Sequence, residues 1–215
     1  MTFHRSILGL LAMCASISLT AQEPVEEKKG GFGFNMGLVY GQAILKTDLG
    51  EDPNIRIWVQ NQGGVSTGVL YQHKLDHRVS VKGQLNLTWL ESFVAYETND
   101  GVSIRKEIFP AFAEIPIHLH FTNRAENNNI SALFGLKISK SLDPGLDQEF
   151  ILRDSFTSAE FGLGKEFDFK QFTIAPEVTY SFGLENLYRY SILPEFAENV
   201  EQLVLNQLAI RILFY

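Results

Sequence analysis

The chain has 215 residues, of which 45% are hydrophobic, 12% aromatic and 20% charged. This length suits one domain, and the single cysteine excludes a disulfide framework. A net charge of −7 argues against nucleic acid as a partner, because phosphate contacts need a basic surface, and a mean hydropathy near zero excludes a polytopic helical membrane protein.

Met1 to Arg5 carries positive charge, and Ile7 to Leu19 follows as an uncharged, mostly apolar run ending at Thr20-Ala21-Gln22. This is the layout of a secretory signal peptide, and the run is too short to span a bilayer as a helix, which takes about 20 residues. Leu11-Ala12-Met13-Cys14 only partly matches a lipobox, because Met13 stands where a small residue is needed. Residues 1–21 therefore read as a signal peptide, 22–29 as a charged periplasmic leader and 30–215 as the folded domain.

From Phe32 onward the pattern has period two, which places alternate side chains on opposite faces of a strand. Phe32, Phe34, Met36, Leu38 and Tyr40 form the first apolar row, opposite Gly33, Asn35, Gly37 and Gly41. A less regular strand lies near Gly64–Leu75. Val79, Val81, Leu85, Leu87 and Trp89 then alternate with Ser80, Lys82, Gln84, Asn86 and Thr88. Ile115, Ile117, Leu119 and Phe121 alternate with Glu114, Pro116, His118 and His120, and Ile130 to Ile138 gives another apolar row. A second irregular strand covers Ser155–Phe167. Phe172, Ile174, Val178, Tyr180 and Phe182 precede the last row, Leu208, Ile210, Ile212 and Phe214.

Eight strands are thus predicted, with no convincing helix beyond a turn around Pro194–Glu201. Connectors alternate in length, long at Lys46–Gly63, Lys140–Asp154 and Leu184–Asn199, short at Asp76–Arg78 and Asp168–Lys170. An antiparallel up-and-down barrel has this rhythm when its two ends face different compartments. A soluble ligand-binding barrel would show the same period, but its polar face meets water and is rich in Lys and Glu. Here that face is mostly Ser, Thr, Asn, Gln and Gly, which suits a narrow hydrated lumen. Strand lengths near the 9–11 residues of a membrane strand agree. So do Trp89, Tyr96, Tyr180, Tyr188, Tyr190 and Tyr215 near strand ends, because aromatic rings favour bilayer interfaces. The expected fold is all-β, an eight-stranded antiparallel transmembrane barrel in the outer membrane with both termini periplasmic.

The chain ends Leu213-Phe214-Tyr215, similar to the terminal aromatic by which barrel assembly machinery selects its clients, although the apolar parity falls on Phe214. Ala113-Glu114-Ile115-Pro116-Ile117-His118-Leu119 and Ile174-Ala175-Pro176-Glu177-Val178-Thr179-Tyr180-Ser181-Phe182-Gly183-Leu184-Glu185-Asn186-Leu187 resemble runs of the PorT-like family of small outer-membrane barrels. The resemblance implies a barrel of Bacteroidetes-type bacteria, in a family sometimes associated with type IX secretion and gliding. It supports location better than role.

Candidate chemistry is sparse. Glu114, His118 and His120 share one strand face, which admits a metal site or a histidine base for a lipid hydrolase. No nucleophile motif accompanies them, so lumen filling is the plainer expectation. Glu177 and Arg211, on the lumen faces of adjacent strands, are expected to pair within an interior charge network that includes Lys82. Pro116 and Pro176 are expected at bulges. Asp48, Glu51, Asp52, Asp143, Asp147, Glu149 and Asp154 read as solvated loop charge, with cation bridging to lipopolysaccharide or a protein partner as alternatives. No catalytic, cofactor or metal residue is assigned. The expected role is non-enzymatic, exerted through external loops in secretion, assembly or adhesion. The expected partners are outer-membrane lipid, the assembly machinery and an envelope protein, and the rival readings are a membrane-embedded hydrolase and a soluble periplasmic ligand-binding barrel.

Overall fold

Period-two alternation gives each strand one oily and one polar face, and the fold is the arrangement that keeps all the faces of one kind together. The computed structural model describes residues 30–47, 55–98, 103–107, 111–125, 128–142, 150–191 and 200–215. The signal segment, the leader, Cys14, the acidic loop residues 48–52 and 143–149, and most of the turn expected around 194–201 lie outside the described residues.

The strands are β1 (Gly30–Thr47), β2 (Ile55–Lys74), β3 (Val79–Thr98), β4 (Ser103–Glu107), β5 (Ala111–Ala125), β6 (Asn128–Ser141), β7 (Phe150–Leu152), β8 (Ser155–Lys165), β9 (Phe167–Asp168), β10 (Thr173–Gly183), β11 (Tyr188–Ser191) and β12 (Val200–Phe214). Eight of them, β1, β2, β3, β5, β6, β8, β10 and β12, pair in chain order, each antiparallel to the next. The last strand, β12, pairs with both β10 and β1 and closes the cylinder. Among the described residues each of these eight strands is paired on both sides, so the cylinder has no free edge strand.

The oily rows face outward. Leu87, Ile117, Phe134 and Ile210 are each about half exposed, whereas Asn35, Asn86, Thr88, Glu114 and Ser139 are fully buried inside. Phe34, half-buried, stacks on Phe214 with ring centroids 4.7 Å apart. Most of the lumen is polar, but each end carries apolar side chains. At the end of the short turns Leu70, Ala175 and Leu213 pack together with Tyr215. At the loop end Val39, Leu90, Phe112, Phe156, Leu187, Leu203 and Leu205 form a larger cluster.

The expected connectors need three corrections. Lys46–Gly63 is not one long loop, because β2 begins at Ile55 and pairs through Asn61 with Ser92–Thr98 of β3. A register shift between Asn61 and Gly64 hides this, since the outward row changes there from even-numbered Trp58 and Gln60 to odd-numbered Val65 and Val69. The two longest remaining connections hold β7 and β11, which pair with each other over the loop end. Neither proline marks a bulge. Pairing of β3 with β5 skips Gln84 and Leu85, opposite Pro116 and Ile115, and resumes in the same register. Pro176 sits where the β8–β10 ladder ends. Each missing N–H thus falls at a break in pairing and not at a shift.

The turn after β2 is tied locally. The N–H groups of Leu75 and Asp76 both donate to the Val79 carbonyl, at 2.9 and 3.1 Å. The exposed Asp76 carboxylate accepts from the His77 ring and backbone N–H, both at 2.7 Å, and these hold it below the usual carboxylate range.

Glycines on the lumen face let neighbouring strands approach. A Cβ at Gly135 would overlap the carbonyl oxygen of Ile117, whereas at Gly31 it would meet nothing within 4 Å. Gly135→Val is expected to destabilise the folded barrel by at least about 1–3 kcal/mol. Gly31→Ala is expected to stay within about 0.5 kcal/mol of the parent. Urea unfolding of the detergent-folded protein compares the two.

Candidate functional site

The candidate site is the set of ionisable side chains sealed in the lumen. Among the described residues, Lys82 of β3, Lys137 of β6 and Arg211 of β12 meet Glu114 of β5, Glu160 of β8 and Glu177 of β10, and all six are at most 2% exposed. Lys82 Nζ lies 2.7 Å from Glu177 Oε1 across the barrel. Lys137 Nζ lies 3.2 Å from Glu114 and 3.8 Å from Glu160, and also donates to Ser181 at 3.0 Å and to Gln207. Arg211 reaches Glu114 at 3.8 Å and Glu160 at 3.7 Å, and donates to Thr179 at 3.3 Å. Hydroxyls complete the carboxylates: Thr88 donates to Glu114 and Ser181 to Glu160, at 2.7 and 2.8 Å.

The two histidines take different carboxylates. His118 Nε2 is 2.8 Å from Glu160 Oε2, whereas His120 Nδ1 is 3.8 Å from Glu177 Oε1. Their rings are edge-to-face at 5.9 Å, and both are fully buried. Among the described residues no three His, Cys, Asp or Glu side chains converge as a metal would require. Asn35 extends the network sideways, donating to Gln84 at 3.1 Å and Asn86 at 2.9 Å. Nearer the turn end, the Tyr215 hydroxyl donates to Glu166 at 2.8 Å and Lys82 lies 5.0 Å over the Tyr215 ring.

All six residues singled out in the sequence, Lys82, Glu114, His118, His120, Glu177 and Arg211, face this interior. The pairing of Glu177 with Arg211 is corrected. Their Cα atoms are register partners, yet Glu177 pairs with Lys82 while the Arg211 guanidinium lies near Glu114 and Glu160. The Arg211 stem lies over Gly37, where a Cβ would come within 2.8 Å of its Cγ. The Glu177 stem lies over Gly164 on the opposite flank, where the same distance would be 2.9 Å. Each charge meets its partner on a strand that is not its neighbour in the wall. Lys137 and Glu160 were missed. Lys137 stands between outward Leu136 and Ile138, so parity alone assigns it to the lumen. Glu160 is harder to read, because its row begins with apolar Phe156 and continues with Gly162 and Gly164, which carry no polar side chain.

A lid closes the loop end. Asn186 Oδ1 accepts from the N–H groups of Tyr188 and Leu203, both at 3.0 Å, and its amide donates to the Glu201 carbonyl at 3.0 Å. Arg153 Nη1 binds Glu185 at 2.9 Å, joining the two connections that carry β7 and β11. Leu187 is thereby held 1% exposed above Phe112 and Phe156 in the apolar cluster.

Removing one member of a buried ion pair leaves an uncompensated charge. Lys82→Met is expected to cost about 3–5 kcal/mol of stability, and adding Glu177→Gln to recover a large part of it. A parallel cycle on Arg211→Met and Glu177→Gln is expected to show smaller coupling, with urea unfolding in phospholipid vesicles as the measurement.

No protein-family model and no curated protein sequence matches the chain. Solved structures are similar to this chain, among them two outer membrane proteins. One is the outer membrane protein OprG from Pseudomonas aeruginosa, 12% identical, matched over 85% of this chain and 93% of that one with a TM-score of 0.50. The other is the outer membrane protein AlkL, solved in lipid bilayers, 10% identical, matched over 92% and 96% with a TM-score of 0.48. The likeness to OprG is one of fold, and agrees with the strand pairing above: an all-β, closed, eight-stranded antiparallel barrel.

Proposed function

We propose that this chain is an integral outer-membrane barrel that works through its loop end, as a non-enzymatic accessory in secretion, assembly or adhesion. The observation that carries the reading is the pairing of an exposed oily belt with a charged interior. On β1 the belt runs from Phe32 to Tyr40 and gives way to exposed Gln42, which matches the 9–11 residues of a membrane strand. Aromatic side chains border it. Phe32 and Tyr71, with Phe169 and Phe172, lie toward the turn end, and Tyr40, Trp89, Tyr180 and Phe182 toward the loop end. A soluble barrel would present this apolar surface to water, far beyond the few hundred Å² tolerated on a monomer.

The matched charges and the apolar cluster above them also argue against a wide diffusion pore. Catalysis on lipid by His118 or His120 is disfavoured, because both rings are buried inside the wall while acyl chains meet its outside. The signal-peptide pattern supports export, and the short turns are assigned to the periplasm. Lipid around the belt, the assembly machinery at Phe214 and Tyr215, and an envelope protein at the loop end are the proposed partners. The PorT-like resemblance supplies the secretion-accessory part of this reading.

Membrane fractionation with heat-modifiable gel mobility tests the placement, and crosslinking from intact envelopes tests the loop partner. Ile117→Lys, in mid-belt, is expected to cost about 2–4 kcal/mol of folding stability in vesicles. A water-facing site would tolerate that change, so a neutral result in the same unfolding measurement overturns the membrane reading. Planar-bilayer recordings are expected to stay near baseline conductance.

A further inference from the structure

Above the belt the wall opens along one line. The β1–β2 ladder ends at Tyr40 and Gly63, although β1 continues beside β12 to Thr47 and β2 continues beside β3 to Ile55. At the parting point the Asn61 side-chain oxygen accepts the Ala43 N–H at 2.8 Å, replacing a ladder bond with a side-chain bond. The cause is the bulge in β2, where Gly63 and Gly64 contribute backbone without side chains.

At the foot of this seam lies a groove of about 460 Å³ on the outer surface. Its walls include Leu38, Tyr40, Val65 and Ile210, with Gly63 and Gly64 between them. Just above, the Tyr180 hydroxyl donates to Gln42 Oε1 at 3.4 Å, leaving the amide N–H groups of exposed Gln42 as donors at the rim. The groove itself is apolar, and Gln42 follows Tyr40 on the same outward face of β1. The lining of the groove comes from three adjacent strands, β12, β1 and β2, and is far smaller than the roughly 800 Å² that each partner of a standard protein interface contributes.

We infer that this groove binds one ester-linked acyl chain of the surrounding bilayer lipid, the chain lying along Gly63 and Gly64 and the ester carbonyl accepting from Gln42. The inference rests on the membrane placement proposed above. Within a bilayer the groove opens onto hydrocarbon, and a flexible acyl chain fills an open apolar hollow of this size. The volume falls within the range of small-molecule sites, roughly 300–1,000 Å³. Gly63 is the determinant that can be altered without rebuilding the wall. A Cβ there would come no nearer than 3.7 Å to the Val39 carbonyl oxygen, whereas at Gly64 it would meet the β3 backbone at 2.8 Å or less.

The test uses the full-length protein folded into phosphatidylcholine vesicles doped with phosphatidylcholine bearing a diazirine in one acyl chain. After irradiation, adducts are mapped by peptide mass spectrometry. Peptides carrying Leu38–Tyr40 and Gly63–Val65 are expected to be labelled several-fold above Phe134–Ile138 on the β6 face. Gly63→Leu is expected to abolish the excess and Gly63→Ala to reduce it, with β6 labelling and heat-modifiable mobility unchanged. Equal labelling of both faces, an excess that survives Gly63→Leu, or protein–protein crosslinks at the seam would overturn the inference. Absence of label from both faces would instead overturn the membrane placement, and this inference with it.

Discussion

A charge inside a closed cylinder has only its neighbours for solvent, and the rest of this structure follows from that constraint. Glu114, Glu160 and Glu177 are balanced by Lys82, Lys137 and Arg211, and each carboxylate touches a cation from another strand. Leaving such a charge unpaired would cost far more than any one contact returns, because the desolvated ion keeps its full penalty. The network also ties β3 to β10 and β12 to β5 directly through the lumen, links that strand pairing alone does not make.

Filling a narrow barrel with lysine, arginine and histidine requires space, and glycine supplies it at particular places. Gly135 lets the backbone of β5 approach β6 beside His118, Gly37 carries the stem of Arg211, and Gly164 carries that of Glu177. The lumen is layered as a result. Bulky charged groups occupy the middle, Leu70, Leu213 and Tyr215 the turn end, and Phe112, Phe156 and Leu187 the loop end. The apolar layers keep water from the ion pairs, which strengthens their mutual attraction and makes exact matching of charge more necessary.

The two ends of the wall differ because their connections differ. Short turns hold the lower rim in one register, as the bonds of Leu75 and Asp76 to Val79 illustrate. At the upper rim β2 and β3 run on past the belt, and the bulge at Asn61–Gly64 lets β2 follow β3 while leaving β1. The parting of the strands and the outer groove thus lie at one irregularity. Asn186 fixes the lid above them with three hydrogen bonds to backbone groups.

Period-two alternation was legible from Phe32 to Phe214, and with it the strand number, the outward face and the lumen position of Lys82, Glu114, His118, His120, Glu177 and Arg211. Alternation is a local property, set by the pleat, so a single sequence suffices to read it. Lys137 was legible on the same ground, whereas Glu160 lay in a row that mixes apolar Phe156 with Gly162 and Gly164. Partner choice was not legible. Glu177 and Arg211 are neighbours in register, but their stems lean to opposite flanks, and only the closed barrel brings Lys82 to one and Glu114 and Glu160 to the other. The parting of β1 from β2 was hidden too, because a bulge reverses parity and breaks the pattern on which the reading depends. The chain by itself determined the two faces of the regular strands, since alternation is written residue by residue, and the Ser, Thr, Asn, Gln and Gly content of the polar face pointed it inward. Tertiary structure decided which charges meet and where the wall opens, since those depend on closure and on the direction each side chain takes across the lumen.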